Sequence, residues 1–219
     1  LDSYRHMDQI YTIAVIGGGR WSRVLVNVLC NLLDEGSHIL WCSRHNREAQ
    51  ETLVKKHSHI KFTVLEDDTA LDLAKLDAAV IVTAPSTHAG YAQKYLSYGI
   101  PVFVEKPLTL SGKDADILLD IAHEKNTPLG VDLVFMYADY IYDFVSALEG
   151  QKIRDISIEW HDPSFEERHG EKKYPDFYTA MTHDMFPHVW SLLKMLLPSL
   201  DLDLKKVRYV LSIPLKFHE

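Results

Sequence analysis

Short apolar runs alternate with stretches of helical periodicity along the first 133 residues. The runs at residues 12–16, 39–42, 61–65, 78–82, 102–104 and 129–133 are brief and rich in β-branched side chains, which suits strands covered on both faces. Helical spacing falls near residues 21–33, 47–57, 87–98 and 112–125. Residues 68–74 leave room for a crossover of only about two turns. Six strands separated by crossovers predict an α/β fold: a doubly wound parallel sheet of the Rossmann type over residues 1–133.

Beyond Leu133 the rhythm changes. Residues 137–148 carry aromatic and aliphatic side chains at helical spacing, and residues 153–160 alternate as a strand with one wet face would. Residues 162–174 are charged and flanked by prolines, which is loop composition. An apolar helix is expected over 185–197 and a last strand over 206–213. Residues 134–219 therefore predict a small α+β second domain, the place for self-association if the chain forms a homo-oligomer.

Charge and composition narrow the function classes. A net charge of −8 argues against nucleic acid or anionic lipid as a bulk electrostatic partner. Apolar runs stay well short of the ~18 residues of a membrane span. Residues 1–9 carry no signal-peptide pattern, and the two cysteines, Cys30 and Cys42, fall on elements that read as buried, so a cytoplasmic protein with free thiols is expected.

Candidate chemistry begins where the first strand runs into Gly17-Gly18-Gly19-Arg20-Trp21-Ser22 and a helix follows. In such a turn Gly17 permits the tight bend and Gly19 lets the backbone approach a pyrophosphate. Arg20 and Trp21 open the helix whose N–H groups face the phosphates. Ser22 is small enough to stand where a third glycine supports helix–strand packing. About 20 residues further on, where NAD-binding proteins usually offer a carboxylate, the chain has Cys42-Ser43-Arg44-His45. A hydroxyl and a guanidinium suit a 2′-phosphate, and one charge-assisted hydrogen bond contributes about 1.5–3 kcal/mol. Ser43 and Arg44 thus predict NADPH, with NAD the weaker alternative.

Thr83-Ala84-Pro85-Ser86-Thr87-His88, then Gly99, then Val102-Phe103-Val104-Glu105-Lys106-Pro107 resembles the glucose–fructose oxidoreductase/inositol dehydrogenase/MocA family. That family has a strand ending in T-x-P-x-x-H, a helix, a glycine and a strand ending in E-K-P. The resemblance covers most of residues 11–133. It implies a hydride-transferring oxidoreductase acting on a sugar, polyol or related small molecule, with Thr83, Pro85, His88, Glu105 and Lys106 at the cofactor. A lysine at that strand end can give a proton to a carbonyl oxygen while hydride reaches carbon. In the second region, Thr182-His183-Asp184-Met185-Phe186-Pro187-His188 is similar to the family's D-x-x-x-H segment, which adds Asp184 and His188 to Lys106 as the catalytic set. Pro187 is expected in the first turn of a helix starting near Asp184. The chain departs from the pattern in having Ser191 where an aspartate is common, in lacking an arginine after the sixth strand, and in a shorter second domain.

A second class stays open: an inactive NADP(H)-binding sensor or partner subunit whose second region docks on another protein. Metal-dependent hydrolysis has little support, because His183, Asp184 and His188 come with no HExxH and no further ligand motif, so no metal is expected.

Overall fold

Six parallel strands, ordered β3-β2-β1-β4-β5-β6, form the sheet at the centre of the computed structural model, which describes residues 9–160, 166–168, 171–173 and 181–198. The strands are β1 (Thr12–Ile16), β2 (His38–Cys42), β3 (Lys61–Leu65), β4 (Ala78–Ile81), β5 (Val102–Glu105) and β6 (Leu129–Asp132). The crossover helices are α1 (Arg20–Leu32), α2 (Arg47–Lys56), α3 (Pro85–Ser97) and α4 (Gly112–Glu124). Strand order reverses direction between β1 and β4, and a crevice opens beyond the carboxyl ends of strands at such a point.

Burial explains why these runs become strands. Along β1, Ala14 and Ile16 join a core with Tyr95, Leu96 and Leu118 of α3 and α4, while Ile13 and Val15 join a second core with Val26 and Cys30 of α1. Both faces of β1 are thus dry, and a side chain of this kind contributes about 1.5–3 kcal/mol when fully buried. Between β3 and β4 the crossover is shorter than the expected two turns: a single 3₁₀ turn, Leu73–Lys75.

The second region departs more from its sequence pattern. A 3₁₀ turn, Val134–Tyr137, leads into α5 (Asp139–Ala147), as the periodicity predicts. Residues 153–160 do not form the expected strand: no described strand pairs with them, and alternation gives a strand only where a ladder partner exists. Within the expected loop lies a short antiparallel hairpin, β7 (Glu166–Arg168) with β8 (Glu171–Lys173). The last described helix, α6 (Met181–Leu196), starts before Asp184 and carries Pro187 in its interior rather than its first turn. Pro187 has no N–H to offer the carbonyl of His183. The final strand expected over 206–213 lies outside the described residues.

Candidate active site

The glycine turn is held from below by Ser22 and by two side chains the sequence pattern did not single out, Trp41 and Asn46. Gly17 has φ +129°, and a Cβ there would meet Val82 O at 2.2 Å. Its carbonyl accepts the Trp41 indole N–H at 2.7 Å and the Ser22 hydroxyl at 2.7 Å. Gly18 has its own requirement: a Cβ would lie 2.0 Å from Ser43 Oγ, and its carbonyl accepts Asn46 Nδ2 at 2.8 Å. Gly19 faces open space, with nothing within 4 Å of a Cβ. Gly19 is also the N-cap of α1, and no side chain caps the helix, so its first N–H groups and its dipole are left to the crevice.

At the end of β2 the two residues expected to read a 2′-phosphate are engaged locally. Ser43 Oγ accepts the His45 N–H at 3.1 Å and donates to the His45 carbonyl at 3.0 Å. Arg44 is exposed and pairs with Asp67, beyond β3, at 3.1 Å. Asp67 also accepts the Thr69 hydroxyl and N–H, and these bonds together with Arg44 hold its carboxyl down to about 2. A carboxylate therefore stands at this corner after all, supplied by the third strand instead of the second.

Loops after β4 and β5 meet over α3. His88, fully buried, places Nδ1 2.8 Å from Pro107 O and Nε2 3.1 Å from Thr83 O, so its ring lies between the two loops. Thr83 Oγ1 lies 2.6 Å from Thr87 Oγ1, and Pro85 occupies the first turn of α3, where a missing N–H costs nothing. The Lys106–Pro107 peptide is cis.

Lys106 crosses to the second region. Its Nζ donates to Asp184 Oδ1 at 2.5 Å and to the Asp184 carbonyl at 3.0 Å, so a Rossmann strand end and α6 meet at one ammonium. His188, one turn along the same helix, stacks on Trp160 with ring centroids 5.4 Å apart and planes 7° apart; Phe135 stands edge-on at 5.1 Å. The structure thus brings Lys106 and Asp184 into contact and fixes the plane of the His188 imidazole nearby.

Behind Lys106 lies a group missed from the sequence. Asp132, at the end of β6, is buried and accepts the Trp21 indole N–H at 3.1 Å. Register sets it beside Glu105, whose Oε2 accepts the Lys106 N–H at 2.8 Å. Burial pushes the Glu105 carboxyl up to about 8, and the neighbouring Asp132 adds to the effect. An aspartate closing an otherwise apolar strand was the available signal. Among the described residues no cluster of three histidine, cysteine or acidic side chains is arranged to hold a metal, and no helix is long and apolar enough to cross a membrane.

An open glycine N-cap, an uncapped helix and a crevice at the reversal of strand order define a dinucleotide-binding Rossmann protein. Residues 11–133 match the model of the oxidoreductase family with an NAD-binding Rossmann fold, and the chain belongs to that family, Gfo/Idh/MocA. UDP-N-acetylglucosamine 3-dehydrogenase of Acidithiobacillus ferrooxidans is 39% identical over 59 residues, 27% of this chain and 19% of that protein. The scyllo-inositol 2-dehydrogenase (NAD(+)) of Bacillus subtilis is 41% identical over 68 residues, 31% of this chain and 18% of that protein. Among solved structures, myo-inositol dehydrogenase from Lactobacillus casei in complex with NAD(H) and myo-inositol superposes with a TM-score of 0.55 at 26% identity, covering 64% of this chain and 42% of that one. The chain thus spans less than half of each relative.

Proposed function

We propose that the chain binds a nicotinamide dinucleotide across the carboxyl ends of its strands and reduces or oxidises a sugar, polyol or related C–OH/C=O compound. Residues 1–133 form the nucleotide unit and 134–219 the substrate-facing unit. The observation that carries the reading is the Lys106–Asp184 contact, which joins the end of β5 to a helix of the second region.

The residues fit the cofactor. Gly17 makes the turn, Gly19 clears space for a pyrophosphate, and the N–H groups at Arg20 and Trp21 open α1 toward it. When bound, the nicotinamide supplies or accepts the hydride. Thr83, Pro85 and the Glu105–Lys106 strand end form the wall on the nicotinamide side, and His88 holds that wall in place from beneath. Lys106 moves a proton to or from the substrate oxygen; Asp184 orients the ammonium and balances its charge; His188, held flat against Trp160, relays the proton outward.

Between the two cofactors, the engaged side chains favour NAD(H) over the NADPH read from Ser43 and Arg44. Arg44 is already paired with Asp67, and an ionised carboxylate at that corner opposes a 2′-phosphate. Relatives whose names or complexes include NAD point the same way.

The test is NADH oxidation with a panel of keto-sugars and inososes, alongside fluorescence titration of NADH and NADPH. Turnover lost in Lys106→Ala with NADH affinity retained is the expected result; undiminished turnover overturns the catalytic role. A second reading, a nucleotide-binding sensor, draws on the way Asp184 already occupies the Lys106 ammonium. Nucleotide binding without turnover of any carbonyl compound would select it.

A further inference from the structure

In a parallel ladder, partnered residues project from the same face, so the register Glu105↔Asp132 places two carboxyls side by side at the end of β5 and β6. Asp132 is 7% exposed, so the carboxyl it sets beside Glu105 is largely withdrawn from water. Two carboxylates held side by side with little water to screen them repel each other, which favours one carboxyl in its acid form. Each carboxyl also has a partner of its own. Asp132 Oδ2 accepts the indole of Trp21 from the phosphate turn, and Glu105 Oε2 accepts the main-chain N–H of Lys106.

We propose that Glu105 and Asp132 form one acid pair holding a single proton in common, which ties the phosphate turn to the lysine-bearing strand and makes nucleotide affinity depend on that proton. Asp132 is in this view a positioning residue acting through Trp21 and Glu105.

The surrounding charges are few. Asp132 from β6 and Lys106 from its own strand are the charged groups acting on Glu105, and Lys106 is itself paired to Asp184 of α6. Toward the pair α1 brings the neutral indole of Trp21, while α3 brings His88, whose nitrogens face Pro107 O and Thr83 O. The ascent of the Glu105 carboxyl to about 8 sets the window. Below that pH the pair carries one negative charge; above it, two. The second charge forces the carboxyls apart, loosens Trp21 and repels an anionic pyrophosphate. Nucleotide affinity therefore falls as pH rises through about 8, and nucleotide binding in that range takes up a proton.

Difference infrared spectroscopy of the protein alone, between pH 6 and 10 (roughly two units either side of the window), reads the protonated carboxyl directly. One carboxyl band should disappear on a step in this range in the native protein. Asp132→Asn should move the step downward by about one unit or more, Trp21→Phe should move it upward, and Glu105→Gln should remove it. A step unmoved by both Asp132→Asn and Trp21→Phe would mean that Glu105 titrates alone, and the absence of any step in the native protein would equally overturn the pair. Fluorescence titration of NADH supplies the second reading, which rests on the nucleotide site proposed above. Affinity should weaken about threefold to tenfold across the step in the native protein and stay flat in Glu105→Gln. Failure of NADH to bind at any pH would count against the nucleotide site and leave the infrared result standing, so the two ideas fail separately.

Discussion

The sheet and the second region keep their apolar side chains in opposite ways. Every buried hydrophobic residue among those described lies at or before Leu118, and after Asp132 only Ser191 is buried. The 3₁₀ turn and α5 leave Tyr137, Tyr140, Tyr142 and Phe144 more than half exposed. One unit is specified by its own dry interior on both faces of its strands; the other rests on its contact with Lys106 and on its own small Phe135–Trp160–His188 cluster. Substitutions in the first should therefore cost the whole fold, and substitutions at the junction should cost local order or chemistry.

The largest effect is expected at Gly17. A methyl group there meets the Val82 carbonyl, and the positive φ strains any side chain, so Gly17→Ala should lose about 3 kcal/mol or more of stability in urea denaturation. Gly19→Ala has open space around its Cβ and should leave the midpoint within about 0.5 kcal/mol while weakening nucleotide binding. Equal destabilisation by the two would remove the distinction between a turn held by its neighbours and a turn cleared for a ligand. Next comes His88→Ala, which empties a buried ring site and takes the ring's N–H donor from a loop carbonyl, at a cost of about 2–3 kcal/mol. A loss below about 0.5 kcal/mol would show that the loops after β4 and β5 hold without it.

What could be read in advance follows the same division. Strands β1 and β3 were legible to the residue, and β2, β4, β5 and β6 to within one residue at an end, because the strands of a covered parallel sheet leave an apolar run that needs no partner to be recognised. Residues 153–160 carry an alternating pattern just as clear, yet a strand is a relation to a neighbour that no local pattern contains. Pro187 misled for a similar reason: a proline favours a first turn, but packing of the rest of α6 outweighs one missing hydrogen bond. In the site, Lys106 and Asp184 were legible as chemical types. Asp132 and Asp67 were not, since each matters through a partner distant in sequence, Trp21 in one case and Arg44 in the other.

The junction itself can be broken without touching the core. Lys106→Met removes both bonds to Asp184 but leaves the aliphatic stem, so global stability should change by less than about 1 kcal/mol. Amide exchange should quicken along α6 and stay unchanged in β1, β4 and β5, as expected of a local rather than a global opening. Uniform acceleration throughout the chain would show that the two regions unfold as one unit and that the contrast in burial has no energetic counterpart.

The smallest effect is expected at Arg44, and it is informative because it is small. An exposed ion pair contributes about 0–1 kcal/mol, so Arg44→Ala should barely move the unfolding midpoint. Its consequence for nucleotides depends on which charge dominates the corner beyond β2 and β3. If Asp67 dominates, removing the guanidinium leaves a bare carboxylate: NADPH should bind more weakly while NADH holds its affinity, and Asp67→Ala should do the reverse by freeing Arg44 for a 2′-phosphate. If instead Asp67→Ala leaves the ratio of NADH to NADPH affinity unchanged, the pair is an ornament of the surface. Cofactor choice would then rest with residues other than this pair.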